Sequence, residues 1–263
     1  MSEAAKAVLE ERRGKSVWLT LNRPQIKNAM NGEMIEMLIE AFTRLGQCNN
    51  TRAIVLAAAG DAFCSGADLS YMLQMAQQQA SNQQGGKTLS GLFRSIAECP
   101  KAVVARVHGL CFAGATGLVS ASDIVVATRN VKFSLPEVKR GLIPATISPF
   151  VVQAMGVQAA RRYFITGESF TAAQAQAMGM VHELCEPEEL DAVLERILAE
   201  LATCAPLAMA ECKKLVRDVS RMDITADETH HDVAMRLAAV RGGAEAAEGM
   251  TAFLEKRKPV WAA

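Results

Sequence analysis

The strands this sequence can form have no face left over for water. Ala53-Ile54-Val55-Leu56-Ala57 is wholly apolar. Lys101 to Val107 carries a single internal charge, Arg106, and Asp123-Ile124-Val125-Val126-Ala127 is apolar after its first residue. A strand on a one-sided sheet alternates apolar and polar, whereas these runs must be covered on both faces, as in a parallel sheet flanked by helices. Helical spacing fills the intervals. Met34, Ile35, Leu38, Ile39, Phe42 and Leu45 recur at helical spacing, and Leu89 to Cys99 reads as a helix ended by Pro100. At the front, Ala7 to Arg12, a turn at Gly14 and the alternation of Val17, Leu19 and Leu21 predict a hairpin.

Beyond residue 187 the strand signals stop. Leu190 to Leu201, Pro206 to Val219, Ala226 to Val240 and Glu245 to Lys256 read as helices. The expected organisation is an α/β core over 1–187 and a helical region over 188–263. Residues 74–87, rich in Gln, Ser, Asn and Gly, read as a mobile loop that orders on an acyl chain.

Composition narrows the function. Lys plus Arg is 28 and Asp plus Glu is 28, so there is no chain-wide basic footprint for nucleic acid. The seven cysteines are irregularly spaced with no C-x-x-C pair, and His230 and His231 stand about 100° apart on a helix, so neither a disulfide framework nor a metal site is expected. The first 15 residues carry acids and lack an apolar core, and no run of 18 apolar residues occurs. A cytoplasmic chain with no membrane partner is the expectation.

Three segments could carry chemistry. Val107 to Gly117 leaves a strand and enters a helix through small residues, and helix N-termini present unpaired N–H groups. The spacing matches neither a dinucleotide fingerprint nor a P-loop. Close packing of helix on strand is one reading and an anion site is the other. Phe63-Cys64-Ser65-Gly66-Ala67-Asp68-Leu69 is a second small-residue turn before a helix. Together the two turns allow two N–H donors to converge on one oxygen. Pro136-Glu137, in the third segment, is by itself an ordinary helix start.

In their order along the chain these segments resemble the enoyl-CoA hydratase/isomerase, or crotonase, superfamily. Leu21-Asn22-Arg23-Pro24 with Lys27-Asn28-Ala29-Met30 is similar to its opening motif, and Phe63 to Leu69 to its F-x-[AS]-G-A-D-[IL]. Residues 107–123 are similar to its glycine-rich turn, Phe133 to Pro144 to F-x-x-P-E-x-x-x-G-x-x-P, and Phe164 to Glu168 with Gly179 to Val181 to its later T-G-[ED] and G-L-V. Phe253 to Pro259 is similar to its closing F-x-E-K-R-x-P. The resemblance implies a spiral of ββα units, then helices that build homotrimers, often paired into hexamers. It implies an acyl-CoA thioester as substrate, with the N–H groups of Ala67 and Gly114 holding the thioester oxygen while enolate charge develops. It places coenzyme A near Lys27, Ala29, Ser65, Asp68, Leu69 and Lys256, as part of the substrate, with no separate cofactor and no metal.

One departure matters. A standard hydratase of this family has two glutamates, one in G-G-G-x-E and one in P-E. Here the second is Glu137 and the first position is Gly117. His108, Thr116 and Ser120 are the nearest side chains that could stand in. Either Glu137 alone adds water to an enoyl-CoA, or no water is added and Glu137 shuttles a proton between carbons 4 and 2 as an isomerase. The run Ile143-Pro144-Ala145-Thr146-Ile147-Ser148-Pro149-Phe150-Val151 and the pattern Gly114 to Leu118 resemble bacterial 3-methylglutaconyl-CoA and isohexenylglutaconyl-CoA hydratases. A branched enoyl-CoA, dicarboxylic in those relatives, follows as the expected substrate, and Lys139 or Arg140 either pairs with its distal carboxylate or lies on the solvated face of the helix. A catalytically silent or RNA-binding relative is the alternative of another class.

Overall fold

The structure is a computed structural model and describes residues 6–77 and 79–262. The chain divides into two compact units, Met1–Ile197 and Leu198–Ala263.

The first unit opens on the expected hairpin, β1 (Val8–Arg13) and β2 (Ser16–Leu21), paired antiparallel. Helix α1 (Gly32–Gly46) follows, capped by the Asn31 side chain, which accepts from Met34 N at 3.1 Å. It buries Met34, Ile35, Leu38, Phe42 and Leu45, the stripe its spacing predicts. Next come β3 (Ala53–Ala58), α2 (Leu69–Ala76), α3 (Gln79–Ala97), β4 (Ala102–Val107), β5 (Leu110–Phe112), α4 (Gly114–Ala121), β6 (Ile124–Thr128) and β7 (Lys132–Ser134). Helices α5 (Ser148–Met155) and α6 (Val157–Thr166), strand β8 (Ser169–Thr171), helix α7 (Ala172–Ala177) and strand β9 (Glu183–Cys185) follow, and α8 (Leu190–Thr203) leaves the unit.

The strands form two sheets. The larger runs β1-β2-β3-β4-β6-β9 and is parallel from β2 onward. The smaller runs β5-β7-β8. Strand β4 lies in the large sheet and β5 in the small one. Strands β6 and β7 repeat that step, and this is the expected ββα spiral. The apolar runs are buried as predicted, with all six residues of β3 inside.

One expectation is corrected. The polar segment 74–87 is not a loop: residues 74–76 end α2 and residues 79–87 begin α3, while residue 78 lies outside the described residues. Buried Leu92, Phe93 and Ile96 anchor the later turns of α3, and a helix once nucleated extends through Gln, Asn and Ser at little cost.

The second unit continues with α9 (Pro206–Val219), α10 (Asp227–Arg241) and α11 (Ala244–Leu254). The Glu245 carboxylate accepts from Leu207 N and Ala208 N at 3.0 and 2.8 Å, closing the N-terminus of α9. Helices α9 and α10 bury no residue, and Leu207, Val216, Ile224, Phe253 and Leu254 are exposed. Among the described residues, no helix is long and apolar enough to cross a membrane.

Candidate active site

A cavity of about 500 Å³ opens in the first unit, where the turn after β3 meets the end of β5. Hydrogen bonds tie the two segments together. Cys64 N donates to Leu110 O at 3.2 Å, and Phe112 N donates to Cys64 O at 3.1 Å. Small residues permit the contact beyond that bridge. Gly66 has φ +99°, and a Cβ there would stand 2.8 Å from Ala113 Cβ, 3.0 Å from Phe112 O and 3.4 Å from Gly114 N. A Cβ on Gly114 would stand 3.9 Å from Ala67 N. The backbones of 66–67 and 113–114 are therefore in direct contact.

Among the described residues, neither Ala67 N–H nor Gly114 N–H donates to a protein acceptor. Adjacent main-chain groups are engaged. Met30 N donates to Gly66 O and Asp68 N to Met30 O, both at 2.8 Å, and Ala113 N donates to Ser134 O at 2.8 Å. Both free donors line the cavity, and Gly114 N is also the first N–H of α4. Two free donors on one cavity, one of them at a helix N-terminus, suit an oxygen that gains negative charge. Ala113, between the two segments, holds φ 52° and ψ −125°, a conformation costly for a residue with a Cβ.

Glu137 faces the same cavity from the other side. It sits in a five-residue 3-10 helix, Pro136–Arg140, and not in the α-helix that Pro-Glu suggests. Gly141, left-handed, ends that helix after one turn. Glu137 Oε2 is buried without a hydrogen-bond partner. Burial pushes the carboxyl above its ordinary 4.5, opposed by its own backbone N–H and by the Arg140 guanidinium. In a 3-10 helix residues three apart eclipse, so Arg140 shares the face of Glu137. It also lines the cavity and forms no ion pair among the described residues.

A sequence profile of the enoyl-CoA hydratase/isomerase family matches residues 12–263. The chain belongs to the enoyl-CoA hydratase/isomerase family. The crystal structure of an enoyl-CoA hydratase from Shewanella pealeana superposes with a TM-score of 0.93 at 34% identity, covering 97% of this chain and 96% of that one. Enoyl-CoA hydratase ACTT6 of Alternaria alternata is 34% identical over 241 residues, 90% of this chain and 78% of the relative. Mevalonyl-coenzyme A hydratase sidH of Aspergillus fumigatus is 30% identical over 244 residues, 92% of this chain and 90% of the relative.

Within this hydratase/isomerase fold, the residues singled out from sequence separate into two groups. Ala67, Gly114, Glu137, Ala29, Ser65, Asp68 and Leu69 all line the one cavity. Lys27 and Lys256 do not. Lys27 is exposed with φ 53°, and its carbonyl accepts from Ser65 N at 2.9 Å. Lys256 is exposed in the second unit with φ 54°. Asp68 is already occupied. Its carboxylate caps α2 by accepting from Ser70 N at 3.0 Å and pairs with Arg23 at 3.2 Å, where both side chains are about four-fifths buried (20% and 18% exposed). Arg23 also donates to Ala29 O at 2.6 Å, so this pair holds the chain on either side of Ala67 in place.

The stand-ins for the missing glutamate do not reach the cavity lining. Thr116 Oγ1 donates to Ala113 O at 2.7 Å. His108 Nε2 lies 2.9 Å from Gly60 O, and burial lowers its pKa. Ser120 Oγ is buried without a partner. What occupies the place of the glutamate side chain is apolar. A Cβ on Gly117 would stand 2.3 Å from Ile147 Cγ2 and 2.9 Å from Phe93 Cε1. Ile147 lies in the Ile143–Val151 run noted above, but nothing in the sequence signals its contact with Gly117 across 30 positions.

Proposed function

We propose that the protein is a hydratase that adds water across the 2,3 double bond of an enoyl-CoA, with Glu137 as its only acid and base. The observation that carries this reading is the unpartnered, buried Oε2 of Glu137 in the cavity that Ala67 N–H and Gly114 N–H also line. In the forward step Glu137 takes a proton from water, the water oxygen bonds to carbon 3, and the π pair moves onto the thioester as an enolate. The two N–H groups hold the oxygen that gains the charge. The protonated Glu137 then delivers its proton to carbon 2 and returns to a carboxylate. A carboxyl raised above its ordinary value suits both halves of that cycle, because its affinity for the proton moves toward operating pH. This chemistry calls for no metal and no redox group.

The substrate we propose is a branched enoyl-CoA of the glutaconyl type. Arg140 supports the distal carboxylate, since it is an unpaired cation on the cavity wall, whereas Lys139 is directed toward Gly167. The mevalonyl-CoA hydratase among the relatives is named for a branched acyl group. Ala29, Ser65, Asp68 and Leu69 are proposed beside coenzyme A, with Lys27 and Lys256 as phosphate contacts. A cytoplasmic homotrimer or hexamer is proposed, supported by the exposed apolar residues of the second unit.

A second reading has an observation of its own. The apolar filling off Gly117 leaves a single catalytic carboxylate, which is all that a 3,2-isomerase requires. One assay separates the two. Purified protein is given 3-methylglutaconyl-CoA, crotonyl-CoA and a 3-enoyl-CoA, with the conjugated enoyl-thioester absorbance followed and products weighed by mass spectrometry. Gain of one water on the branched substrate is the expected result. Conjugation appearing from the 3-enoyl-CoA without added water would overturn it in favour of the isomerase. Glu137→Gln is expected to reduce turnover by about 10²–10⁴-fold while acyl-CoA affinity is retained. Retained turnover would remove Glu137 from the mechanism.

A further inference from the structure

Gly114 and Gly117 stand one turn apart on α4, about 5 Å along its axis, and so share a face. Off Gly114, where a Cβ would be, lies Met30 Cε at 2.8 Å, while its free N–H points out of the helix N-terminus. Off Gly117 lies Ile147, with Cγ2 at 2.3 Å and Cβ at 2.9 Å from where a Cβ of residue 117 would be. Phe93, fully buried, closes the same space from behind with Cε1 at 2.9 Å. Ile147 is only 1% exposed, yet it is part of the cavity lining. It is thus the floor of the cavity, one turn from the proposed oxyanion donor.

We infer that Ile147 is a specificity-determining residue whose apolar floor takes an alkyl substituent on carbon 3 of the acyl chain. The inference rests on the acyl-CoA reading of the cavity. A thioester oxygen on Gly114 N–H fixes carbon 1, and carbon 3 lies two bonds further along the wall toward the level of Gly117. An unbranched enoyl chain offers that wall a hydrogen at carbon 3. A branched chain offers a methyl or methylene, which meets the isoleucine. A polar side chain at position 117 would repel such a group, and the interlock with Ile147 excludes one. The loss of the family's first glutamate and the gain of an apolar subsite are then one structural change.

The test uses two saturated thioesters, to which water cannot add, that differ by one methyl on carbon 3. These are 3-methylbutanoyl-CoA and butanoyl-CoA, with dissociation constants measured by calorimetry on the full-length protein. The branched ligand is expected to bind about tenfold more tightly, the lower end of what one methyl contributes in an apolar pocket. Ile147→Ala is expected to bring the ratio to about one. A wild-type ratio near one overturns the inference, as does a tenfold ratio that survives Ile147→Ala in a folded protein. Should Ile147→Ala not fold, Ile147→Val decides: a ratio reduced to about threefold supports the inference and an unchanged one overturns it. If the binding ratio holds but no water is ever added, only the hydratase reading fails. If neither thioester binds, the cavity reading and this inference fail together.

Discussion

The wall carrying Ala67 and Gly114 offers the cavity two free backbone N–H groups, whereas Glu137 offers a carboxyl side chain on a short 3-10 helix. The first is tied on every side. Met30, Cys64, Leu110, Phe112 and Ser134 hydrogen-bond its main chain, and Arg23 with Asp68 braces its edge. The second leaves a carboxylate oxygen buried without a partner. Polarising an oxygen requires donors fixed before reaction, while moving a proton requires a group that changes charge. Rigidity is therefore concentrated in one wall and an unfavourable ionisation in the other.

That contrast can be broken most severely at Gly66. In Gly66→Ala the new Cβ would meet Ala113 Cβ at 2.8 Å and Phe112 O at 3.0 Å, in a backbone at φ +99°. A loss of about 2–4 kcal/mol in stability is expected from strain and overpacking. Turnover in the folded fraction should fall by about 10²-fold as the two donors are pushed apart. Denaturant titration beside a hydration assay checks both. Near-wild-type values in both would mean that the two backbones do not need their contact.

Asp68→Ala removes the brace and the cap of α2 together. A cost of about 1–2 kcal/mol is expected from the cap, read by thermal melting. If acyl-CoA affinity falls while stability holds, Asp68 belongs to ligand binding more than to the scaffold.

Ala113→Gly relieves the backbone at φ 52°. A gain of about 1 kcal/mol is expected, with turnover slightly lowered by the added freedom next to Gly114 N. A loss of stability would show that Ala113 Cβ contributes more by packing than it costs in strain.

The smallest effect sharpens the contrast from the side-chain wall. Glu137 has a folded pKa raised above its unfolded value near 4.5 by burial. Above that unfolded value the unfolded chain releases its proton first, so native stability falls as pH rises from about 4.5 toward the raised value. Above the raised value the ionised carboxylate in its buried site is a net cost. Glu137→Gln, which has no charge to bury, should therefore melt higher than wild type once pH has risen through that window, and the difference should vanish below it. An unchanged or lower melting temperature above that window would mean that the ionised form is well accommodated.

The fold was legible wherever burial imposed a period. The apolar runs became β3, β4 and β6, and the helices after residue 187 begin and end within a few residues of their predicted bounds. The segment 74–87 was misread because its composition is that of a loop, while the signal that makes α3 a helix lies further on, at Leu92, Phe93 and Ile96. Within the site, Glu137 read alone is an ordinary helix start, and it too was singled out only through resemblance. Ala67 and Gly114 could be named only through resemblance, since every residue but proline has an N–H and only the fold aims it. The meeting of Gly117 with Ile147 had no local signal, because it joins α4 to a segment 30 positions later.

That last contact also constrains how the protein can evolve. A glutamate at position 117 needs a second change, at Ile147, to be accommodated. While Ile147 is in place, a Cβ at 117 would stand 2.3 Å from its Cγ2, so a glutamate there is a packing defect before it is a catalytic group. Ile147 must shrink first, at a cost in packing and with no catalytic return. The geometry of a helix and a neighbouring side chain thus keeps position 117 free of a side chain, whatever the demands of the substrate.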